Sequence, residues 1–276
     1  MKFGIVTDST SDISAQEAQE LNIEVVPAVL ILNGQEYLDG KGLSREDYYD
    51  QLPTFTPPPT TAAPSAGMFS KTYQKLFDSG VDQILSIHVT STLSGIVNAA
   101  QIAAQKFDDK VQVIDSGQLS LGLGFQVMAA ARAALSGSLE TVQATLQNLR
   151  SRLQVLAMID TLDQLKRSGR VNWMRSSLGS LLRIKLFLEV KNSQILRVGE
   201  TRTRSKGLQL LSEKLDTNGE LEQLAIVHTN ALEDATRLAE RFASKVRTAP
   251  LIRNVTTVVG THVGVNAVGF ISIKAE

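Results

Sequence analysis

The chain has 276 residues, 43% of them hydrophobic, and its 28 Lys+Arg balance 28 Asp+Glu. That length predicts one large or two medium domains with ample apolar material for a core. The absence of cysteine excludes disulfide frameworks, thiolate catalysis and cysteine-ligated metals, and three histidines leave little for zinc. No run approaches the roughly 20 uncharged apolar residues that span a bilayer. From Met1 the sequence enters a strand pattern at once rather than a signal peptide, so a cytoplasmic protein is expected. The charge is unevenly spread: residues 1–150 carry 9 Lys+Arg against 16 Asp+Glu, and residues 151–276 carry 19 against 12. The basic half is where a phosphate or an acidic protein is expected to dock. Scattered arginines, a near-neutral isoelectric point and no aromatic-rich basic platform speak against nucleic-acid binding.

In chain order, short apolar runs at residues 3–7, 25–31, 84–88 and 111–114 read as strands. Stretches 11–21, 68–77, 96–107 and 119–135 show apolar residues every three or four positions and read as helices. The alternation predicts an α/β fold whose N-terminal domain, residues 1–152, is an α/β/α layer structure around a mostly parallel sheet. In such sheets ligands sit beyond the carboxyl ends of the strands. Hydroxyl-bearing loops follow there: Asp8-Ser9-Thr10-Ser11-Asp12, residues 88–95, and Asp115-Ser116. The first of these reads mainly as a helix N-cap and secondarily as an anion loop. Residues 53–64 hold five of the seven prolines and predict a stiff, extended crossing that carries the Thr60-Thr61 pair. Ser120-Leu121-Gly122-Leu123-Gly124 superficially matches a dinucleotide loop, but Val127 stands where the third glycine belongs. From residue 153 the runs shorten, to 154–159, 184–190, 194–199, 225–228, 256–259 and 268–273. Read as strands, they predict a C-terminal two-layer α/β domain, residues 153–276, with a mixed sheet.

Two stretches carry the chemistry. Thr60-Thr61-Ala62-Ala63-Pro64-Ser65 and Ser91-Thr92-Leu93-Ser94-Gly95 crowd hydroxyls and free backbone N–H groups into loops. Such donors hold an anionic head group, a carboxylate for example, without supplying a full counter-charge. In the basic half, Lys166-Arg167-Ser168-Gly169-Arg170, Thr201-Arg202-Thr203-Arg204-Ser205-Lys206 and Gly260-Thr261-His262-Val263-Gly264 each set a cation or imidazole beside glycine or hydroxyl residues. A reading of another class is a serine hydrolase with Ser94 as nucleophile and His88 or His262 as base, although no G-x-S-x-G elbow surrounds Ser94. His88 otherwise reads as a strand-end residue with a satisfied ring, and His228 as structural. A stand-alone kinase lacks its Walker loop and its Mg²⁺-binding carboxylates.

In their order and spacing, Thr7-Asp8-Ser9-Thr10-Ser11-Asp12, Thr61-Ala62-Ala63-Pro64-Ser65, Leu93-Ser94-Gly95, Val113-Ile114-Asp115-Ser116, residues 165–170, Arg202-Thr203-Arg204 and His262-Val263-Gly264 resemble the DegV family. These are bacterial fatty-acid-binding proteins, among them the lipid-binding subunits of fatty acid kinase, and the resemblance runs nearly the full length. It implies that Thr61 and Ser94, with Gly95 beside them, hold the carboxylate of a long-chain fatty acid whose tail lies in a tunnel between the domains. The ligand is then the fatty acid itself, with no metal and no further cofactor. The resemblance also implies a separate ATP-binding kinase subunit that converts the bound acid to an acyl phosphate, no catalysis by this chain alone, and transient contact with a membrane surface. Arg170, Arg202 and His262 match family positions of phosphate or partner contact, and sequence does not separate Arg202 from Arg204. Two departures stand out. Val265-Asn266 follows His262-Val263-Gly264 where proline and glycine are common, which puts a glycine-dependent turn in question. Ala62-Ala63 replaces a more usual polar pair before Pro64.

Overall fold

The computed structural model describes residues 1–170 and 184–276. Strands β1 (Phe3–Asp8), β2 (Ile23–Val26), β6 (Gln83–His88) and β7 (Val111–Asp115) form a four-stranded parallel sheet in the order β2-β1-β6-β7. Their carboxyl ends, Asp8, Val26, His88 and Asp115, therefore lie along one edge. Helices α3 (Ala66–Asp78) and α4 (Ile96–Ala104) pack together against this sheet, as does α5 (Leu121–Ala134), while α6 (Leu139–Arg152) packs on α5 and on the strand Val268–Lys274 of a second sheet.

A second sheet is mixed. Strands β8 (Leu153–Ile159), β9 (Lys185–Lys191), β10 (Gln194–Thr201), β11 (Leu221–His228), β12 (Leu251–Asn254) and β13 (Val268–Lys274) run in the order β10-β9-β8-β13-β11-β12, antiparallel except for β11 and β12. Strand periodicity decides its two faces. Leu156 and Met158 on β8 join the cluster under α8 (Arg204–Asp216) and α9 (Leu232–Phe242), while Val155, Ala157 and Ile159 line a cavity on the other side.

Helix α5 links the two sheets, touching β1, β6 and β8. It is buried from Leu121 through Met128 on every face, as expected for a helix without a polar stripe. Gly122 and Gly124 lie inside this helix rather than in a nucleotide loop: a Cβ at 124 would stand 2.5 Å from the Ser11 carbonyl, and one at 122 would stand 2.7 Å from Val155. These glycines permit close packing.

Three findings differ from the sequence reading. Residues 25–31 are not one strand: β2 ends at Val26, and β3 (Val29–Leu32) turns through Asn33-Gly34, both at positive φ, into β4 (Gln35–Leu38). The Thr60-Thr61 pair is itself a strand, β5 (Thr60–Ala62), giving a small antiparallel sheet in the order β4-β3-β5. Residues 256–259 open a helix, α10 (Thr257–Val263), instead of a strand. Their β-branched side chains favour strand, but Thr256 caps the helix by accepting from the Val259 N–H. Helix α2 (Arg45–Gln51) fixes it from the side, with the Tyr49 hydroxyl donating to the carbonyls of Val255 and Thr256 at 3.0 Å each. Tertiary contacts override local propensity here.

Candidate functional site

The loop after β1 closes on buried carboxylates. Asp8 accepts from the Thr10 N–H at 3.1 Å, from His88 Nδ1 at 3.0 Å and from the Val89 N–H at 3.2 Å. His88 Nε2 meets Ser86 Oγ at 2.7 Å, and Ser86 meets the Tyr73 hydroxyl at 2.8 Å. Asp12 accepts from the Ser120 hydroxyl at 2.5 Å and from the Thr256 N–H at 2.7 Å. Burial, opposed by nearby Arg45, pushes Asp12 up to about 6. Both aspartates are fully buried and spend their oxygens on the protein itself, so this loop caps and cross-braces.

The loop after β6 is held open. Asp115 accepts from the Ser91 N–H and hydroxyl at 3.0 and 2.6 Å and from the Gly117 N–H at 2.8 Å. Burial works to raise the Asp115 pKa, but these donors and Arg150 outweigh it and hold the carboxyl below its ordinary range. The hydroxyl of Thr92 donates to the Ser193 carbonyl in the turn between β9 and β10, which ties the loop to the second sheet. Ser94 and Gly95 then stand at the start of α4, where Gly95 is the N-cap and a Cβ would meet open space.

Thr61 on β5 and His262 in the last turn of α10 are 201 residues apart in sequence, yet Thr61 Oγ1 lies 2.8 Å from His262 Nε2. Burial first, and Arg170 second, push His262 down to about 4, so its imidazole is neutral near pH 7. With the proton on Nε2, the ring donates to Thr61 and leaves the threonine hydroxyl proton for a ligand.

Thr61, Ser94, Gly95, Arg170 and His262 all line one cavity of about 370 Å³, whose remaining walls are largely apolar, with Ala28, Val89, Leu119, Ile195 and Val258 among them. Leu119, Ile195, Val259 and Val263 also line a further apolar pocket of about 80 Å³ over the inner face of the second sheet, between Val155, Ala157, Val190, Val227 and Ile271. Binding cavities for small molecules span roughly 300–1,000 Å³. The first cavity includes no Asp or Glu among its described lining residues. It is a largely apolar space whose lining also carries hydroxyls, a neutral imidazole and one guanidinium.

The family profile described as "Uncharacterised protein, DegV family" matches residues 2–275. The chain belongs to the DegV family. A DegV domain-containing protein of Listeria innocua is 32% identical over 277 residues, covering 98% of each chain. A DegV family protein from Thermus thermophilus, described as fatty acid binding, superposes with a TM-score of 0.90 at 29% identity over 100% of both chains. DegV from Bacillus subtilis, described as a fatty acid binding protein, gives 0.86 at 28% identity, again over 100% of both.

Within this DegV chain the expected residues divide. Thr61, Ser94, Gly95, Arg170 and His262 meet at one cavity, whereas Arg202 is exposed in the bend between β10 and α8 and lines none of the described cavities. Arg204 is committed elsewhere: it pairs with Asp160 at 3.0 Å and Asp234 at 2.6 Å and donates to the Asn266 carbonyl at 2.7 Å. The turn after His262 survives its unusual sequence. Gly264 has φ +80° and Asn266 φ 61°, and asparagine tolerates that left-handed region; its N–H donates to the Thr229 carbonyl at 2.7 Å. Ser94 Oγ accepts from the Ile96 N–H at 3.4 Å, and among the described residues no histidine reaches it. His88 is occupied by Asp8 and Ser86, and His262 by Thr61. Sequence reasoning missed the Thr61–His262 contact, for which no local signal exists. It also passed over Arg167, which lines a cavity together with Thr61, Arg170 and His262, within the Lys166 to Arg170 cluster.

Proposed function

We propose that this DegV protein binds a long-chain fatty acid and presents its carboxylate to a separate ATP-dependent kinase subunit in the cytoplasm. The observation that carries the reading is the largely apolar cavity lined by Thr61, Ser94 and His262, with no acidic side chain among its described lining residues. Relatives described as fatty acid binding support it. At about 0.8 kcal/mol per buried CH₂, a long acyl chain supplies on the order of 10 kcal/mol, against association costs of roughly 4–15 kcal/mol. The tail provides affinity, and the head group needs only enough hydrogen bonds to offset its desolvation, about 1.5–3 kcal/mol for each charge-assisted one.

Hydroxyl donors orient the carboxylate without quenching it as a bidentate arginine would. Its oxygen attacks the γ-phosphorus of ATP on the partner, the bond to the bridging oxygen breaks, and ADP leaves with the electron pair. Arg170 faces the charge that spreads over the transferred group. Arg202, exposed and without a hydrogen bond or ion pair among the described residues, is available to the partner's surface.

Native and denaturing mass spectrometry of the freshly purified protein, with chromatography of its organic extract, tests the first half. A near-stoichiometric long-chain acid is expected. A protein that arrives empty and takes up no added fatty acid overturns the proposal.

A further inference from the structure

The cavities bordered by α7 (Asp163–Ser168) and α10 meet at the Thr61–His262 pair. A cavity of about 460 Å³ stands apart and shares no lining residue with them. It lies where the N-terminal helices meet the second sheet, between α1 (Ala15–Glu20), α5, β11 and the approach to β12. Small-molecule sites favour such junctions. Phe125, Met128 and Arg132 fall at i, i+3 and i+7 along α5 and so share one face of that helix. Phe125 and Met128 are buried, Leu251 of β12 is half-buried, and together they give the cavity an apolar side. Arg132, one turn beyond Met128, is exposed, and Gln223 and Thr248 add neutral polar groups.

Charge decides what fits. Glu17 is the one acid among the described lining residues, and it is already spent. Its carboxylate accepts from the Ser14 N–H and hydroxyl at 2.7 Å each, which closes the capping box of α1, and from Arg253 at 2.9 Å on both oxygens. Arg253, two residues beyond Leu251 on the same strand face, still has a buried Nε without an acceptor among the described residues. Arg132 forms no hydrogen bond or ion pair among the described residues. Positive charge is therefore in surplus, and the free part of it is one guanidinium. A guanidinium fork takes a carboxylate through two parallel bonds, while the Glu17 charge in the wall disfavours a dianion. Three apolar side chains suit a ring rather than a long acyl tail, and an aromatic ring packs well on both a phenyl group and a methionine sulfur.

We infer that this cavity is a second ligand site, separate from the acyl cavity, that takes a small aromatic carboxylate. The ring lies against Phe125, Met128 and Leu251, and the carboxylate meets Arg132.

The test uses the intact protein with methyl-labelled methionine, saturated with palmitate to fill the acyl cavity, and 1-naphthoate as the probe. The Met128 methyl signal, assigned with Met128→Leu, reports this cavity whether or not the protein takes up palmitate, so the outcome is independent of the lipid-binding reading. The expected result is a saturable shift of that signal. Arg132→Ala weakens the probe by about fivefold or more, as does replacing the acid by uncharged 1-naphthalenemethanol, and Arg132→Lys recovers part of the loss because a point charge replaces a fork. A Met128 signal that stays still, an affinity that Arg132→Ala leaves unchanged, or equal binding of the alcohol overturns the assignment. Displacement of the probe by excess palmitate also overturns it, by merging the two sites. Thermal unfolding of Arg132→Ala close to wild type separates a ligand effect from misfolding.

Discussion

Two histidines in this molecule each touch a hydroxyl, and only one of the two lines a described cavity. His88 is fully buried, with Nδ1 on Asp8 and Nε2 on Ser86, so that Asp8, His88 and Ser86 form a hydrogen-bonded chain with the connectivity of a hydrolytic triad. Tyr73 closes its far end, and no cavity among those described is lined by His88 or Ser86. The His262 ring makes one hydrogen bond among the described residues, to Thr61, and borders both a large apolar cavity and a cationic one. Residue types alone do not tell them apart. What separates them is unused hydrogen-bonding capacity beside a space large enough to fill.

The largest expected effect breaks the sealed member of the pair. His88→Leu leaves Asp8 without one of its donors in a fully buried setting, so global stability falls by about 3 kcal/mol or more. A urea titration reads it as a lower midpoint at unchanged slope. An unchanged midpoint would show that the chain of contacts carries no stability. The corresponding change at the open end has the opposite pattern. Replacing Thr61 and Ser94 together by Ala should weaken fatty acid binding by roughly 2–4 kcal/mol, about thirty-fold to several hundred-fold, while the urea midpoint barely moves. If affinity survived, other groups would hold the carboxylate.

Much of the frame is legible from sequence because it rests on local periodicity. Three of the four parallel strands and the helices beside them announce themselves in apolar spacing, and so does the buried helix α5, whereas the run at 25–31 merges the second parallel strand with β3. Other features carried a signal that went unread: Asn33-Gly34 between apolar runs is a strong hairpin signature, and it builds the small sheet that holds Thr61. The β-branched run at 256–259 misled, because its helical fate depends on Tyr49 from another part of the chain. The Thr61–His262 pairing and the commitment of Arg204 to Asp160 and Asp234 join residues distant in sequence, and no window of residues encodes them. Asn266 keeps a turn that glycine usually makes, an economy visible only once its φ is known.

Acidity sharpens the comparison at His262. Unfolded, this imidazole takes up a proton near its ordinary 6.5, whereas the folded protein resists until about 4. The unfolded state therefore binds more protons between these values, and stability falls as pH drops through that window, by on the order of 3 kcal/mol in all. Asp12, pushed up to about 6, acts in the opposite sense over part of the same range, so the informative quantity is the difference between wild type and His262→Gln. That difference should grow steadily from pH 6.5 to 4 in ligand-free protein and shrink when a fatty acid is bound, because a carboxylate beside the ring offsets Arg170. A flat difference would mean that the ring is hydrated and titrates normally.

The smallest effect distinguishes the two neighbouring arginines. Arg204→Ala removes partly buried ion pairs to Asp160 and Asp234 together with a bond to the Asn266 carbonyl, and should cost about 1–3 kcal/mol of stability. It should also loosen the turn after His262, since Asn266 belongs to it. Arg202→Ala removes an exposed side chain with no partner among the described residues, and its stability should stay within about 0.5 kcal/mol of wild type. On the proposed function, any loss it causes appears only when a kinase subunit of the proposed kind is added, as slower acyl phosphate formation at unchanged fatty acid affinity. Parallel thermal unfolding of the two variants decides the matter: similar shifts would return both arginines to a structural role, and a shift confined to Arg204→Ala leaves Arg202 as the one free to meet a partner.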